Sequence, residues 1–340
     1  MSIRVAIIGA GIMGSDHARI IAEDIPGAEL QVVCDTAADL ATAVADKYFA
    51  KDATTDPIAT ISRPDVDAVL IASPDATHDS LTLAALAKSK PVLCEKPLAV
   101  DSSACLKVLE AECQLQRQLI QVGFMRRFDS GYTSMKASLL DGQLGDAVMM
   151  HNFHRNVEAP AGFTGLMAIT NSAPHEFDAV RYILNSEVAT IIAFEPTVNT
   201  GAMCKPVVMT LQMTTGQLAT IEINNNAVYG YDVKAELVGS KGSASLATEN
   251  SLRLDSALQS STPFPADWRP RFAEAYRLQD KAWIDSINSG IPDPRSATAW
   301  DGYCASVIAE AGCRALRSGQ NEKIEMMTRP ELYQPVKLVA

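Results

Sequence analysis

The sequence predicts an α/β chain: an N-terminal doubly wound parallel sheet over residues 1–122, then an α+β domain with a large, mainly antiparallel open sheet over 123–340. Three observations carry this. Short apolar runs alternate with amphipathic helical stretches through the first 122 residues. The first apolar run ends in the glycine-spaced turn Gly9-Ala10-Gly11-Ile12-Met13-Gly14. Beyond Gly123 the alternation gives way to β-rich runs separated by hairpin-like turns.

Taken in order, Arg4–Ile8 reads as the first strand and Ile12–Asp24 as the first helix. Strands follow at Leu30–Cys34, Ala68–Ala72, Pro91–Cys94 and Leu119–Val122. The intervening helices are read at Ala37–Lys47, Asp75–Lys88 and Asp101–Arg117, the last with Asp101 as N-cap. In the second half, Ala147–His154 is strand-like and Ser172–Leu184 helical. The runs Val188–Val198, Val207–Met213, Leu218–Asn224, Val233–Val238 and Ala244–Ala247 are read as strands. Gly216-Gln217 and Gly239-Ser240-Lys241-Gly242 look like hairpin connections, and helices at Arg271–Asn288 and Thr298–Ser318 close the chain.

The glycines have separate tasks. Gly9 permits a tight turn, Gly11 lets backbone approach a pyrophosphate, and Gly14 lets the helix pack close to the strand. The helix N-terminus then offers unpaired N–H groups to the phosphates. The second strand ends in Asp35, at the spacing of a group that binds the adenosine ribose. A carboxylate there repels a 2′-phosphate, and Thr36-Ala37-Ala38 supplies no arginine to hold one, so NAD is expected over NADP. Asp35 can also cap the next helix. Polar or turn clusters follow the other strands, at Ser73–His78 and Glu95–Pro97; in an open α/β sheet such carboxyl ends form the ligand edge.

A net charge of −11 argues against a nucleic-acid or anionic-membrane partner. Seven scattered cysteines, odd in number and without Cys-x-x-Cys, fit a reducing compartment better than a disulfide framework. The apolar stretch Ile3–Ile8 is too short for a signal peptide, and no run has membrane-spanning length, so a cytoplasmic location is expected. No His, Cys and carboxylate set has metal-ligand spacing, so no metal is expected.

Two clusters carry candidate chemistry. Lys96, at the mouth of the fourth strand and ahead of Pro97, can polarise a substrate oxygen; a solvated surface charge is its ordinary alternative. The segment Thr170–Asp178 opens a helix, with Asn171 as a plausible N-cap, Pro174 in the first turn and His175 early in the helix. Asn171 and His175 are four apart and share a face if both are helical, and Asp178 is placed to orient the His175 ring. His175 is a candidate general base or a structural polar residue. Asn152, His154 and Asn156 alternate, and so point to one face as a polar row suited to a hydroxylated ligand.

Four segments together resemble the Gfo/Idh/MocA oxidoreductases: Gly9–His17, Ser73-Pro74-Asp75-Ala76-Thr77-His78, Glu95-Lys96-Pro97 and His175-Glu176-Phe177-Asp178. The similarity spans nearly the whole chain, including Trp300-Asp301-Gly302. Within the family, Gln121–Asp129 and Tyr229–Asp232 are most similar to inositol 2-dehydrogenases, with related sugar dehydrogenases sharing these segments. The resemblance implies a Rossmann domain followed by an α/β domain whose open sheet builds a homodimer or tetramer. It implies a catalytic Lys96 whose bond to Pro97 is cis, and His175 as proton acceptor. It places the cofactor against Gly9, Gly11, Ile12, Met13, Gly14 and Asp35, and against Ser73, Pro74, His78, Glu95 and Lys96. Arg126, His154, Asn156 and Tyr231 match positions that contact polyol hydroxyls, with Asn171 beside them. Inositol dehydrogenases often carry aspartate four residues before the histidine. Asn171 can hold a hydroxyl but cannot accept a proton. The expected activity is NAD-dependent oxidation of a cyclic polyol. The alternatives are a dehydrogenase or reductase of a pyranose sugar, and a non-catalytic dinucleotide-binding regulator, which is ranked lower because Lys96 and His175 are both present.

Overall fold

The computed structural model describes residues 2–198, 204–247 and 253–334. The chain forms two compact units. The first combines Met1–Met125 with the returning segments Glu274–Ser306 and Met326–Ala340; the second combines Arg126–Ala273 with Val307–Glu325.

The first unit is built on six strands: β1 (Ile3–Ile8), β2 (Ala28–Cys34), β3 (Asp52–Thr54), β4 (Ala68–Ile71), β5 (Val92–Cys94) and β6 (Ile120–Val122). Their order is β3-β2-β1-β4-β5-β6, and every pair is parallel. Buried on both faces, these strands read as near-continuous apolar runs, with β4 and β5 wholly buried. The helices between them are α1 (Ile12–Arg19), α2 (Ala38–Lys47), α3 (Pro57–Ser62), α4 (His78–Leu86) and α5 (Ser102–Gln114). The first helix continues through a π-turn to Asp24, which gives the full predicted length. Asp101 caps α5 by accepting from the Ala104 N–H at 2.8 Å. The edge strand β3 and the short α3 were not expected from the sequence. Their signal was nevertheless local: Pro57 sits in the first turn of α3, and Asp56 accepts from the Ala59 N–H at 2.9 Å.

The second unit carries β7 (Ala147–Arg155), β8 (Val188–Phe194), β9 (Val207–Met213), β10 (Leu218–Asn224), β11 (Asp232–Gly239) and β12 (Ser243–Ser245). They run in the order β12-β11-β7-β10-β9-β8, with Glu322–Lys323 added at the β8 edge. The β7–β10 pair is parallel and the rest are antiparallel, so the sheet is mixed but mainly antiparallel, as expected. The two hairpin turns form at the predicted glycines, with Gly216 at φ +96°. The predicted strand Val188–Val198 ends early, at Phe194. Two helices belong to this unit: α6 (Ser130–Leu140), capped by Asp129 and not expected, and α7 (Pro174–Leu184). Helices α8 (Trp268–Ser289) and α9 (Ala299–Ser318) each begin in one unit and end in the other. Among the described residues no helix is long and apolar enough to cross a membrane.

Candidate active site

In the first unit the parallel register brings the strand ends to one edge. Ile8 pairs with Cys34 and Ile71, and Cys94 pairs with Ile71 and Val122. Backbone bonds carry the alignment one residue further. Gly9 donates to Cys34 (2.7 Å), Ala72 to Ile8 (2.8 Å), Glu95 to Ile71 (2.9 Å) and Gly123 to Cys94 (2.8 Å). The glycine turn, Asp35, the Ser73 loop and Glu95-Lys96-Pro97 therefore leave the sheet side by side.

Gly9 and Gly14 meet the backbone needs read for them. Gly9 has φ +100°, and a Cβ there would lie 2.5 Å from the Ala72 carbonyl oxygen. A Cβ on Gly14 would collide with the Gly9 carbonyl oxygen. A Cβ on Gly11 would meet nothing within 4 Å, so that position is open for a ligand to approach. Gly11 is also the N-cap of α1 and provides no side-chain cap; a helix N-terminus favours an anion. Ile12 and Met13 follow in this first turn, with the Ile12 side chain exposed. Asp35 accepts from the Ala10 N–H (2.8 Å) and the Ala37 N–H (2.9 Å), tying the glycine turn to the end of β2. A carboxylate has acceptor capacity beyond two bonds, so ribose hydroxyls can still be held. It does not cap α2, whose N-cap is Ala37. These residues fit NAD.

Lys96 is half-buried, and its bond to Pro97 is cis. Ser73 bonds Thr77 through the two hydroxyls at 2.7 Å, and Pro74 is exposed. Two residues expected against the cofactor, His78 and Glu95, are buried with partners inside the protein. His78 is only 1% exposed, and its ring nitrogens lie 2.6 Å from the Pro97 carbonyl and 2.9 Å from the Ser73 carbonyl. Glu95 is buried with its carboxylate on the His17 ring (3.1 Å) and the Lys96 N–H (3.2 Å). Both support the turn from beneath, because strand packing closes over their side chains. Gly123 makes the room: a Cβ there would fall 2.8 Å from the Glu95 carboxylate.

The second unit gathers Arg126, His154 and Tyr231 around Glu176, a residue whose sequence setting assigns it no role. Arg126, 1% exposed, pairs through Nη1 with the fully buried Glu176. His154 Nδ1 lies 3.2 Å from Glu176 Oε2 and 3.3 Å from Arg126 Nη2. The Tyr231 ring stands edge-on to His154 at 6.1 Å, and the Arg126 guanidinium lies over Phe272 at 5.6 Å. Burial pushes the Glu176 carboxyl up, but Arg126 and His154 more than reverse this and hold it below the usual carboxylate range. Arg126 is thus engaged inside the protein, not extended to solvent.

His175 is buried in the first turn of α7, behind Pro174. Asn171 is not the cap of that helix. It lies exposed in a π-turn, Ala168–Ser172, which runs straight into α7 with Ala173 as N-cap. Asp178, expected to orient the His175 ring, pairs with Arg127 at 2.6 Å, with further contacts at 2.9 and 3.2 Å. Asn156 lies one residue beyond β7. Its amide donates to Asn225 (2.5 Å), which also accepts from Ser172 (3.3 Å), so Asn156 is tied to the segment that holds Asn171.

Residues 3–124 match the oxidoreductase family with an NAD-binding Rossmann fold, and residues 132–245 match the GFO/IDH/MocA C-terminal domain. Inositol 2-dehydrogenase 1 of Saccharopolyspora erythraea is 40% identical over 98% of this chain and 99% of its own. The chain belongs to the Gfo/Idh/MocA oxidoreductase family. A second member, the inositol 2-dehydrogenase/D-chiro-inositol 3-dehydrogenase of Shouchella clausii, is 40% identical over 98% of this chain and 97% of its own. Among solved structures of the family, myo-inositol dehydrogenase from Lactobacillus casei in complex with NAD(H) and myo-inositol superposes with a TM-score of 0.93 at 29% identity, covering 98% of this chain and 100% of that one. Residues 3–124 are the family's NAD-binding domain, and NAD is the cofactor.

Proposed function

We propose that this protein is an NAD-dependent dehydrogenase that oxidises a secondary hydroxyl of inositol to the ketone. The supporting observation is the convergence of the glycine turn, Asp35 and Glu95-Lys96-Pro97 on one sheet edge, in a chain whose relatives are named for inositol oxidation. Residues 1–122 bind NAD and residues 123–340 bind the polyol in this reading. Gly9, Gly11 and Gly14 seat the pyrophosphate against the amides of α1, with Ile12 and Met13 as apolar cover and Asp35 on the ribose. NAD, when bound, supplies the hydride acceptor. His175 accepts the hydroxyl proton as general base. Lys96 donates a hydrogen bond to the same oxygen and stabilises its alkoxide-like charge. The polyol ring is oriented by His154, Asn156, Asn171 and Tyr231, with Arg126 fixing the His154 end through Glu176.

A second reading, a dehydrogenase of a pyranose sugar, stays open because Asn171 stands where inositol dehydrogenases often carry aspartate. A panel of inositols and pyranoses incubated with NAD and followed at the nicotinamide absorbance separates the two. Turnover on an inositol is expected, and loss of that turnover in Lys96→Met with NAD binding retained. Turnover on pyranoses alone selects the second reading, and full activity of Lys96→Met removes the lysine from the chemistry.

The open face of the second sheet supports a homodimer or homotetramer. On this face Phe194, Val208, Glu222, Phe153 and Lys234 form one row across β8, β9, β10, β7 and β11, all at least partly exposed. All seven cysteines are free thiols, which supports a cytoplasmic location.

A further inference from the structure

Two histidines outside the proposed chemistry sit on either side of Lys96. His17 is on α1, three residues after Gly14, and is completely buried. Its Nδ1 lies 2.7 Å from Asp280 Oδ2 and its Nε2 3.1 Å from Glu95 Oε1. His78, the first residue of α4, lies between the carbonyls of Pro97 (2.6 Å) and Ser73 (2.9 Å). All four ring nitrogens of the pair face oxygen. A neutral imidazole has one N–H, so its other nitrogen would set a lone pair against an oxygen lone pair. At His78 the argument is strict, since a carbonyl oxygen cannot donate. Water cannot relieve the clash in rings that are 0% and 1% exposed.

We propose that His17 and His78 are buried imidazolium ions that clamp the Glu95-Lys96-Pro97 turn from both sides and so fix where the Lys96 ammonium stands. His17 holds the Glu95 carboxylate and anchors it to Asp280 on α8; His78 holds the Pro97 carbonyl and anchors it to the loop after β4. They are positioning residues, and this role rests on the reading of Lys96 above. The groups facing His17 are Asp280, Glu95 and the edge of the Tyr276 ring (5.8 Å). Those facing His78 are the two carbonyls and Cys94. Burial works against charge on each ring. Asp280 and Glu95 reverse this at His17, and Cys94 with the Pro97 and Ser73 carbonyls reverses it at His78, so both protons are held up to about 10.

Neutron diffraction from crystals of the full chain near neutral pH tests the charge state without any variant. Deuterium on all four ring nitrogens is expected; a singly deuterated ring at either position, with its proton on Asp280 or Glu95 or absent, overturns the proposal. The positioning role is tested with His78→Leu and His78→Gln, using the polyol that the wild type turns over. For His78→Leu, kcat is expected to fall about a hundredfold while NAD affinity, followed by fluorescence, stays within about threefold, since a misplacement of roughly 1 Å carries that kinetic penalty. His78→Gln should recover part of kcat, because its amide can donate to both carbonyls. Unchanged kcat in His78→Leu, loss of NAD affinity in parallel with kcat, or no recovery in His78→Gln refutes positioning. If Lys96→Met is fully active, the reading of Lys96 fails by itself, and the deuterium positions still decide the charge state.

Discussion

At the scale of single residues, charge and acceptor count decide what each carboxylate does. Asp35 holds the Ala10 N–H, and in the reading proposed above its charge also selects the ribose; a substitution can separate the two. Asp35→Asn keeps an acceptor for Ala10 and removes the charge. A hydrogen bond to a charged group is worth about 1.5–3 kcal/mol, so NAD affinity should fall roughly 10–100-fold, while NADP affinity falls less or rises. Titration of both cofactors by fluorescence checks this, and an unchanged NAD-to-NADP ratio removes Asp35 from cofactor selection. Glu176 shows the opposite case, a carboxylate wholly turned inward, kept ionised by Arg126 and His154. Its place in His175-Glu176-Phe177-Asp178 gave no hint of this, because its partner Arg126 lies 50 residues earlier.

At the scale of elements, α1 concentrates three requirements in one short helix. Gly11 must stay open, Gly14 must stay close to the turn, and His17 must reach Glu95. Gly14→Ala drives a Cβ into the Gly9 carbonyl, so an overpacking cost of about 1–3 kcal/mol is expected in urea unfolding. Gly11→Ala meets no atom and should cost under about 1 kcal/mol, yet weaken NAD by at least about tenfold by blocking the close approach. Equal stability of the two variants would show that the turn relaxes freely. Helix starts were legible wherever an N-cap preceded a long apolar period, as at Asp101. The same signature at Asp56-Pro57 and Asp129 is weaker, because α3 is only one and a half turns long and α6 lies where the strand–helix alternation gives way. Asn171 misled for a related reason: a good capping residue was placed inside a helical segment that begins earlier as a π-turn.

At the scale of the whole molecule, the second sheet has one buried face and one that stays partly exposed. Phe194 and Val208 are 53% and 43% exposed and are paired across β8 and β9. Apolar side chains adjacent on an open face are the expected core of a subunit interface. If the proposed homo-oligomer forms through this face, replacing both with Asp should give monomer in light scattering coupled to size exclusion; a monomeric wild type, or an unaffected oligomer, rules out this face. The sequence by itself determined the parallel and mainly antiparallel sheet types, the glycine turn with Asp35, the hairpins and the family, because each is written in short-range spacing, alternation or backbone demand. Only the tertiary structure decided the rest. His17 meets Asp280 across 263 residues and Glu95 across 78, and Arg126 meets Glu176 and His154 across 50 and 28. Segments after residue 273 rejoin the first unit with no marker in composition. Periodicity records which face of an element is buried, but not what that face is buried against, and buried polar groups take their roles from that partner.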